Sequence, residues 1–95
     1  MKFEWDEEKN LTNIEKHKIS FEEAKTVFYD INAVYIYDEV NSIHEDRFNA
    51  IGIPEGFERK LTVCHCYRGE DDEIIRIISA RRASKHEIKL YEEAL

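Results

Sequence analysis

Four strand-like segments follow one another between residues 33 and 80, and only short connections separate them. The segments AVYIYD, RFNAIGI, KLTVCHCY and IIRIISA are rich in β-branched and aromatic residues. The connections NSIHED and RGEDDE are polar, and PEGFE carries a Pro-Gly loop signal. Because consecutive strands joined by short loops pair antiparallel, this arrangement predicts a four-stranded antiparallel meander.

Helix signals flank the strand region on both sides. Asp6 has the character of an N-cap for a helix in DEEKNLTNIEKHK, since two acidic residues follow it. Ser20 with Glu23, and Ser84 with Glu87, have capping-box spacing and begin helices in SFEEAKTVF and KHEIKLYEEAL. The initial KFEW is compatible with a short edge strand. We therefore expect an α+β fold with two N-terminal helices, a four-stranded antiparallel sheet and a C-terminal helix, in one domain over residues 1–95.

The charge distribution is asymmetric. The formal net charge is −7, which argues against a general nucleic-acid binder. Residues 1–58 hold six Lys/Arg against fourteen Asp/Glu, whereas residues 59–95 hold eight against seven. The acidic chain therefore carries one local cationic patch toward its C-terminal end. No apolar run approaches the roughly 20 residues that span a bilayer, and no signal peptide is evident, so we expect a cytoplasmic protein without a membrane partner.

The two cysteines flank a histidine in the third strand segment. Cys64 and Cys66 would point to the same side of a strand, in a poor geometry for a disulfide, so we interpret them as small core thiols. His65 would point to the opposite side, and no second Cys/His pair lies at a zinc-finger spacing. We therefore expect no metal and no cofactor.

Three arginines lie within and just beyond the most hydrophobic strand, in IIRIISARRASKHE. Simple alternation places Arg76 on the same face as Ile78 and Ala80, with Arg82 following on that face, and places Arg81 on the other. A charge within such a strand is costly unless it is paired or hydrated. The arginines could pair with carboxylates of the N-terminal helices, or they could form a phosphate-binding surface, for which the planar guanidinium is well suited.

Several segments resemble the BrnT family of type II toxins. The matching segments run in order from Phe3 to Glu93: FEWDEEKNLTNIEKHKISFEEAKTVF, EDRFNAIG, VCHCYRG and IRIISARRASKHEIKLYEE. The resemblance implies the fold of RelE-like ribonuclease toxins and cleavage of RNA that halts translation. It also implies a BrnA-type antitoxin, a small DNA-binding protein, as partner. RNA would be reached either through the ribosome or through one narrow basic patch.

The resemblance also implies a set of site residues. The basic catalytic residues would be Arg68, Arg76, Arg81 and Arg82. The other positions that match the family's motifs are Lys16, His17, Glu45 and Arg47. We add His65 to the catalytic candidates because of its ordinary pKa, and we assign Arg47, Lys16, His17 and Tyr67 to substrate binding. The general base stays open among His65, Tyr67 and Glu45. A non-catalytic module that binds a partner through the same patch is the alternative function.

Overall fold

The computed structural model describes residues 1–95. The strands are β1 (Lys2–Glu4), β2 (Val34–Tyr37), β3 (Phe48–Gly52), β4 (Leu61–Arg68) and β5 (Ile74–Arg82). The helices are α1 (Glu7–His17), α2 (Phe21–Ala24) and α3 (Lys85–Glu93), and a 3₁₀ helix, Lys25–Tyr29, continues directly from α2. No helix here combines the length and the apolar character needed to cross a membrane.

The strands form one mixed sheet in the order β1-β5-β4-β3-β2. The four strands predicted from the sequence pair antiparallel with their chain neighbours, which confirms the meander. The prediction of a purely antiparallel four-stranded sheet is wrong, because β1 adds a fifth strand parallel to β5. In that pairing Glu4 lies opposite Arg76. The expectation that KFEW is compatible with a short edge strand agrees with β1 at the sheet edge. Its parallel pairing with β5 was not predicted, because the partner strand is distant in the chain.

The second N-terminal helix differs from its prediction. Ser20 caps α2 by accepting a hydrogen bond from the Glu23 backbone N–H at 3.0 Å, but α2 ends after four residues. The chain then tightens into the 3₁₀ helix, where Thr26 and Val27 are β-branched and of lower helix propensity. The Glu23 carboxylate does not complete the predicted capping box; it binds Arg59 Nη2 at 2.8 Å.

A hydrophobic core fills the space between these helical turns and one face of the sheet. From the helical side it takes Phe21, Ala24 and Val27, each fully buried. From the sheet it takes alternate residues of the central strands, such as Leu61 and Val63. Phe3, Trp5 and Tyr67 pack against its margin. The core face of the sheet is therefore the face that α2 and the 3₁₀ helix cover.

A β-bulge in β5 changes which side chains share a face. Cys64 pairs with Ser79 but His65 pairs with Ile77, so Ile78 is an extra residue. The alternation predicted across this point is therefore wrong. Ala80 lies on the core face with Ile77, and Arg76 lies on the opposite face. The bulge thus puts Arg76 and Arg81 on one face and leaves Arg82 on the other.

The side chain of Asn13 in α1 continues the edge of the sheet where β1 ends. Its Oδ1 accepts a hydrogen bond from the Ala80 backbone N–H at 3.1 Å, and its Nδ2 donates to the Ala80 carbonyl oxygen at 2.9 Å. Asn13 is 5% exposed, so these bonds are made away from water. A buried side-chain amide therefore satisfies the backbone N–H and C=O of Ala80, as a neighbouring strand would.

The face of the sheet opposite the core is only partly covered. At one end α3 packs against β3, where Ile51 is fully buried, and the Ile51 partner in β4, Thr62, is 2% exposed. Beyond α3 this face is lined by polar, cysteine and arginine side chains. We call this part the arginine face, and it comprises Arg47, Asn49, Cys64, Cys66, Arg68, Arg76, Ser79 and Arg81.

Candidate phosphate-binding site

Four guanidinium groups project from the arginine face, on three adjacent strands or their ends. Arg68 ends β4, and Arg76 lies opposite Cys66 in the β4–β5 pairing. Arg81 lies opposite Thr62 in the same pairing, and Arg47 immediately precedes β3. Arg68, Arg76 and Arg81 all lie within the β4–β5 pairing, and Arg76 also lies opposite β1, so the sheet fixes the backbone that carries them.

A single carboxylate serves two of the arginines. Glu45, in the β2–β3 connection, lies 2.8 Å from Arg68 Nη1 and 3.3 Å from Arg47 Nη2. The hydrogen bond from Arg68 is the main reason that the pKa of Glu45 is held below its usual range, and the bond from Arg47 adds to it. Glu45 is therefore a carboxylate that stays ionised while both guanidiniums face it.

The other two arginines have separate carboxylate partners. Arg76 Nη1 donates to Glu4 of β1 at 2.7 Å. Arg81 donates to both oxygens of Glu87 in α3, at 2.7 Å and 2.9 Å. Burial raises the pKa of Glu87, but hydrogen bonds from Arg81, the Ser84 backbone and Thr62 outweigh it and bring the pKa to about 2.

The four guanidiniums are paired but remain accessible. The exposed fractions of their side chains are 30% for Arg47, 32% for Arg76, 41% for Arg68 and 45% for Arg81. Ion pairs at such half-exposed positions contribute at most about 1 kcal/mol each. A phosphate, whose oxygens bind guanidinium as a carboxylate does, can therefore compete for them at small cost.

Two grooves give access to three of these four arginines, and Arg76 lines neither groove. A groove of about 410 Å³ is lined by Arg47, Arg81, Asn49, Cys64 and Ser79, among others. A second groove, of about 420 Å³, brings Arg68 together with Glu45 and Tyr67. The structure thus places Tyr67 beside one catalytic candidate, although its ring lies at the margin of the core face.

His65 lies on the core face and has no exposed surface. Its Nδ1 is 3.1 Å from the Val63 carbonyl oxygen, which can only accept, so Nδ1 carries the proton. Its Nε2 is 3.3 Å from the Tyr67 hydroxyl, and its ring stacks edge-on against Phe28 at 4.8 Å between centroids. Burial lowers the pKa of His65. The structure therefore separates His65 from the arginine face by the thickness of the sheet.

Three other predicted residues lie away from the four arginines. Arg82 is exposed on the core side of the sheet, beyond the core itself, and forms no ion pair. Lys16 and His17 end α1 and line a groove of about 370 Å³ that also touches Ile78 and Ser79. That groove adjoins the arginine face along the bulge but contains none of its guanidiniums.

The arginine face also contains residues that the sequence analysis did not assign to the site. Cys64 and Cys66 are free and buried beneath it, and burial raises the pKa of both thiols. Asn49 and Ser79 lie beside Cys64 in the strand pairing. Glu87 was recognised only as a capping residue. No group of three or more His, Cys, Asp or Glu side chains is arranged to hold a metal ion.

Comparison with known proteins gives the family. The sequence profile described as ribonuclease toxin, BrnT, of type II toxin-antitoxin system matches residues 5–87. The 1.1 Å crystal structure of the Brucella abortus ribonuclease toxin BrnT is similar at a TM-score of 0.66 and 30% identity, covering 90% of this chain and 99% of that one. No curated protein matches the chain. The resemblance seen in the sequence is confirmed, and the chain belongs to the BrnT family of type II toxins.

Proposed function

We propose that the chain, as a single RelE-like toxin domain over residues 1–95, is an endoribonuclease that cleaves RNA without a metal and thereby inhibits translation. The observation that carries the proposal is the gathering of four half-exposed guanidiniums on one face of the sheet. Membership of a family described as ribonuclease toxins supports it. The active site is the arginine face, and its catalytic residues are Arg68, Arg76 and Arg81.

The chemistry requires stabilisation of negative charge. The 2′-hydroxyl of one nucleotide loses its proton and attacks the adjacent phosphorus, and the bond to the 5′-oxygen breaks. The leaving 5′-oxygen takes a proton from water, so a 2′,3′-cyclic phosphate and a free 5′-hydroxyl result. Charge builds on the phosphoryl oxygens at the five-coordinate stage. Guanidiniums held on a rigid sheet stabilise that charge without reorganising, and the loss of one such donor commonly costs about 10²- to 10³-fold in rate.

Glu45 is the group that accepts the proton of the 2′-hydroxyl. Of the three candidates for the general base, it has its carboxylate among the arginines of this face. When a phosphate takes Arg68 and Arg47, the pKa of Glu45 rises toward its ordinary value and the carboxylate is released to act as a base. His65 is left out because it is fully buried on the other face.

The remaining candidates belong to substrate binding. Arg47 and Tyr67 line the two grooves that reach the arginine face. Lys16 and His17 line the adjoining groove and contact a flanking nucleotide there. Arg82, on the core side of the sheet, is more remote than its neighbour Arg81 and contributes only to long-range attraction of RNA.

The decisive experiment measures RNA cleavage by the purified chain in the presence of EDTA. The wild type is expected to cleave, and Arg68→Ala, Arg76→Ala and Arg81→Ala each to lose about 10²-fold or more in rate. Arg59→Ala is the matched control, because Arg59 also pairs with a glutamate and is 32% exposed, but belongs to none of the three grooves. Full activity in all three variants would contradict the assignment.

Partner binding is tested separately. A BrnA-type antitoxin that occupies the arginine face would block RNA through charge complementarity. Co-expression with the neighbouring reading frame, followed by pull-down and a growth assay, is expected to give a stable complex that abolishes toxicity in the cytoplasm. Tight binding of such a partner by a wild-type chain that cleaves no RNA, with or without ribosomes, would favour the non-catalytic binding module instead.

A further inference from the structure

Glu87 holds Arg81 in one orientation more firmly than any other carboxylate holds an arginine in this protein. Its Oε1 accepts hydrogen bonds from Arg81 Nη1 at 2.7 Å, from the Ser84 backbone N–H at 2.8 Å and from Thr62 Oγ1 at 2.9 Å. Its Oε2 accepts from Arg81 Nη2 at 2.9 Å. The Glu87 side chain is 15% exposed, so one carboxylate ties together β4, β5 and the start of α3.

The hydrogen bonds of Arg81 leave one edge of its guanidinium free. The Nη1 and Nη2 ends face Glu87, and the remaining Nη1 hydrogen points to the Arg82 carbonyl oxygen at 3.3 Å. A guanidinium has five N–H donors. The two that remain are Nε–H and the second Nη2–H, which are parallel and adjacent. That pair forms a fork that fits two oxygens of a phosphate.

The other arginines of the arginine face are held differently. Arg47 directs its own Nε and Nη2 toward Glu45, so the corresponding fork is occupied. Arg68 and Arg76 each reach their glutamate through Nη1 alone, and those glutamates are 29% and 40% exposed. Arg81 therefore combines a rigid partner with a free fork, and its side chain is 45% exposed and lines the groove of about 410 Å³.

We propose that Glu87 is a positioning residue, which fixes Arg81 so that its free Nε–Nη2 edge receives a backbone phosphate of RNA in that groove. The inference rests on the proposed function for the identity of the ligand. It assigns to Arg81 the binding of the phosphate before reaction, because Arg68 and Arg76 are each held only by one Nη1 contact to a more exposed glutamate. Glu87 itself touches neither the RNA nor the reacting atoms.

A double-mutant cycle tests the coupling between the two residues. The probe is a short 2′-O-methyl RNA oligonucleotide, which cannot be cleaved, and the readout is its Kd for wild type, Glu87→Gln, Arg81→Ala and the double variant. Glu87→Gln is expected to weaken binding by about 10-fold in the wild-type background, as loss of a charge-assisted fork implies, and to change nothing in the Arg81→Ala background. Equal losses in both backgrounds would show that Glu87 acts independently of Arg81 and would overturn the proposal.

Two further variants separate positioning from folding. Ser84→Ala removes the cap hydrogen bond to the Glu87 backbone N–H, and is expected to lower the Tm while leaving the Kd unchanged. Arg81→Lys retains the charge but loses the fork, so it should bind the 2′-O-methyl RNA as weakly as Glu87→Gln does. If Arg81→Lys bound this RNA with wild-type affinity, the role of the fork would be refuted, even if Glu87→Gln failed to fold. Cleavage of unmodified RNA by the wild type is scored separately, so a failure of the nuclease proposal is distinguishable from a failure of this one.

Discussion

The two faces of β4 carry neighbouring residues into opposite environments. His65, on the core face, is fully buried and enclosed by aromatic rings. Arg68, three residues on, is 41% exposed and pairs with Glu45. The core face gains stability from close packing, whereas the arginine face holds charges in paired but replaceable contacts. A titratable residue type therefore predicts little about chemistry until its face is known.

The strongest test of the core face is Phe21→Ala. Phe21 has no exposed surface and its ring packs edge-on against Trp5 at 6.0 Å between centroids. Removal of a buried aromatic ring is expected to lower the free energy of unfolding by about 3–5 kcal/mol. Urea denaturation measures the change. Glu22→Ala, at the next and exposed position, is the control; a similar loss there would mean that the helical turn and not the core is responsible.

Asn13→Ala tests the sheet edge between the two faces. It leaves the Ala80 N–H and carbonyl oxygen without their partner, and buried unsatisfied groups of this kind are expected to cost about 2–4 kcal/mol together. Hydrogen exchange of the Ala80 amide should accelerate with the loss of stability. Thr12→Ala, at the exposed neighbouring position, should change neither quantity, and unchanged exchange in Asn13→Ala would contradict the role of the amide.

The pH dependence of stability reports the Glu87–Arg81 pair. The pKa of Glu87 falls from 4.5 to about 2 on folding, so its contribution is complete above about pH 4.5 and disappears as the pH falls toward about 2. Because Arg81 is partly hydrated and the pKa shift also includes the hydrogen bonds from Ser84 and Thr62, we expect about 1–2 kcal/mol from these contacts together. Urea titrations across that range should show a shallower acid loss in Glu87→Gln than in the wild type. If stability fell equally with pH in Glu87→Gln and in the wild type, the ionised Glu87 would not be the source of the stabilisation.

The smallest effect on stability is expected from Arg76→Ala. Its partner Glu4 is 40% exposed, and the loss of such a pair should change the free energy of unfolding by less than about 1 kcal/mol. The same variant is expected to lose RNA cleavage, so stability and activity should separate on this face. A fall in stability comparable to that of Phe21→Ala would show that Arg76 serves the fold.

The sequence predicted the helix starts and the meander well. Asp6 caps α1 and Ser84 with Glu87 forms the capping box of α3, since these contacts are made within three residues of the cap. The arginines Arg68, Arg76 and Arg81 were recognised individually. Their common face was predicted wrongly, because the bulge at Ile78 shifts alternation by one residue and no local composition marks it.

The sequence by itself determined the local features of the protein, namely its helix caps, strands and turns, because these depend on near neighbours in the chain. Its motifs also determined the family. Only the tertiary structure decided that β1 joins β5, that His65 is enclosed and that each arginine meets its particular carboxylate. Glu4 and Arg76 are 72 residues apart, and Asn13 and Ala80 are 67 apart. Such pairs depend on how packed layers bring distant segments together, since burial and hydrogen-bond satisfaction are settled over the whole sheet and not along the chain.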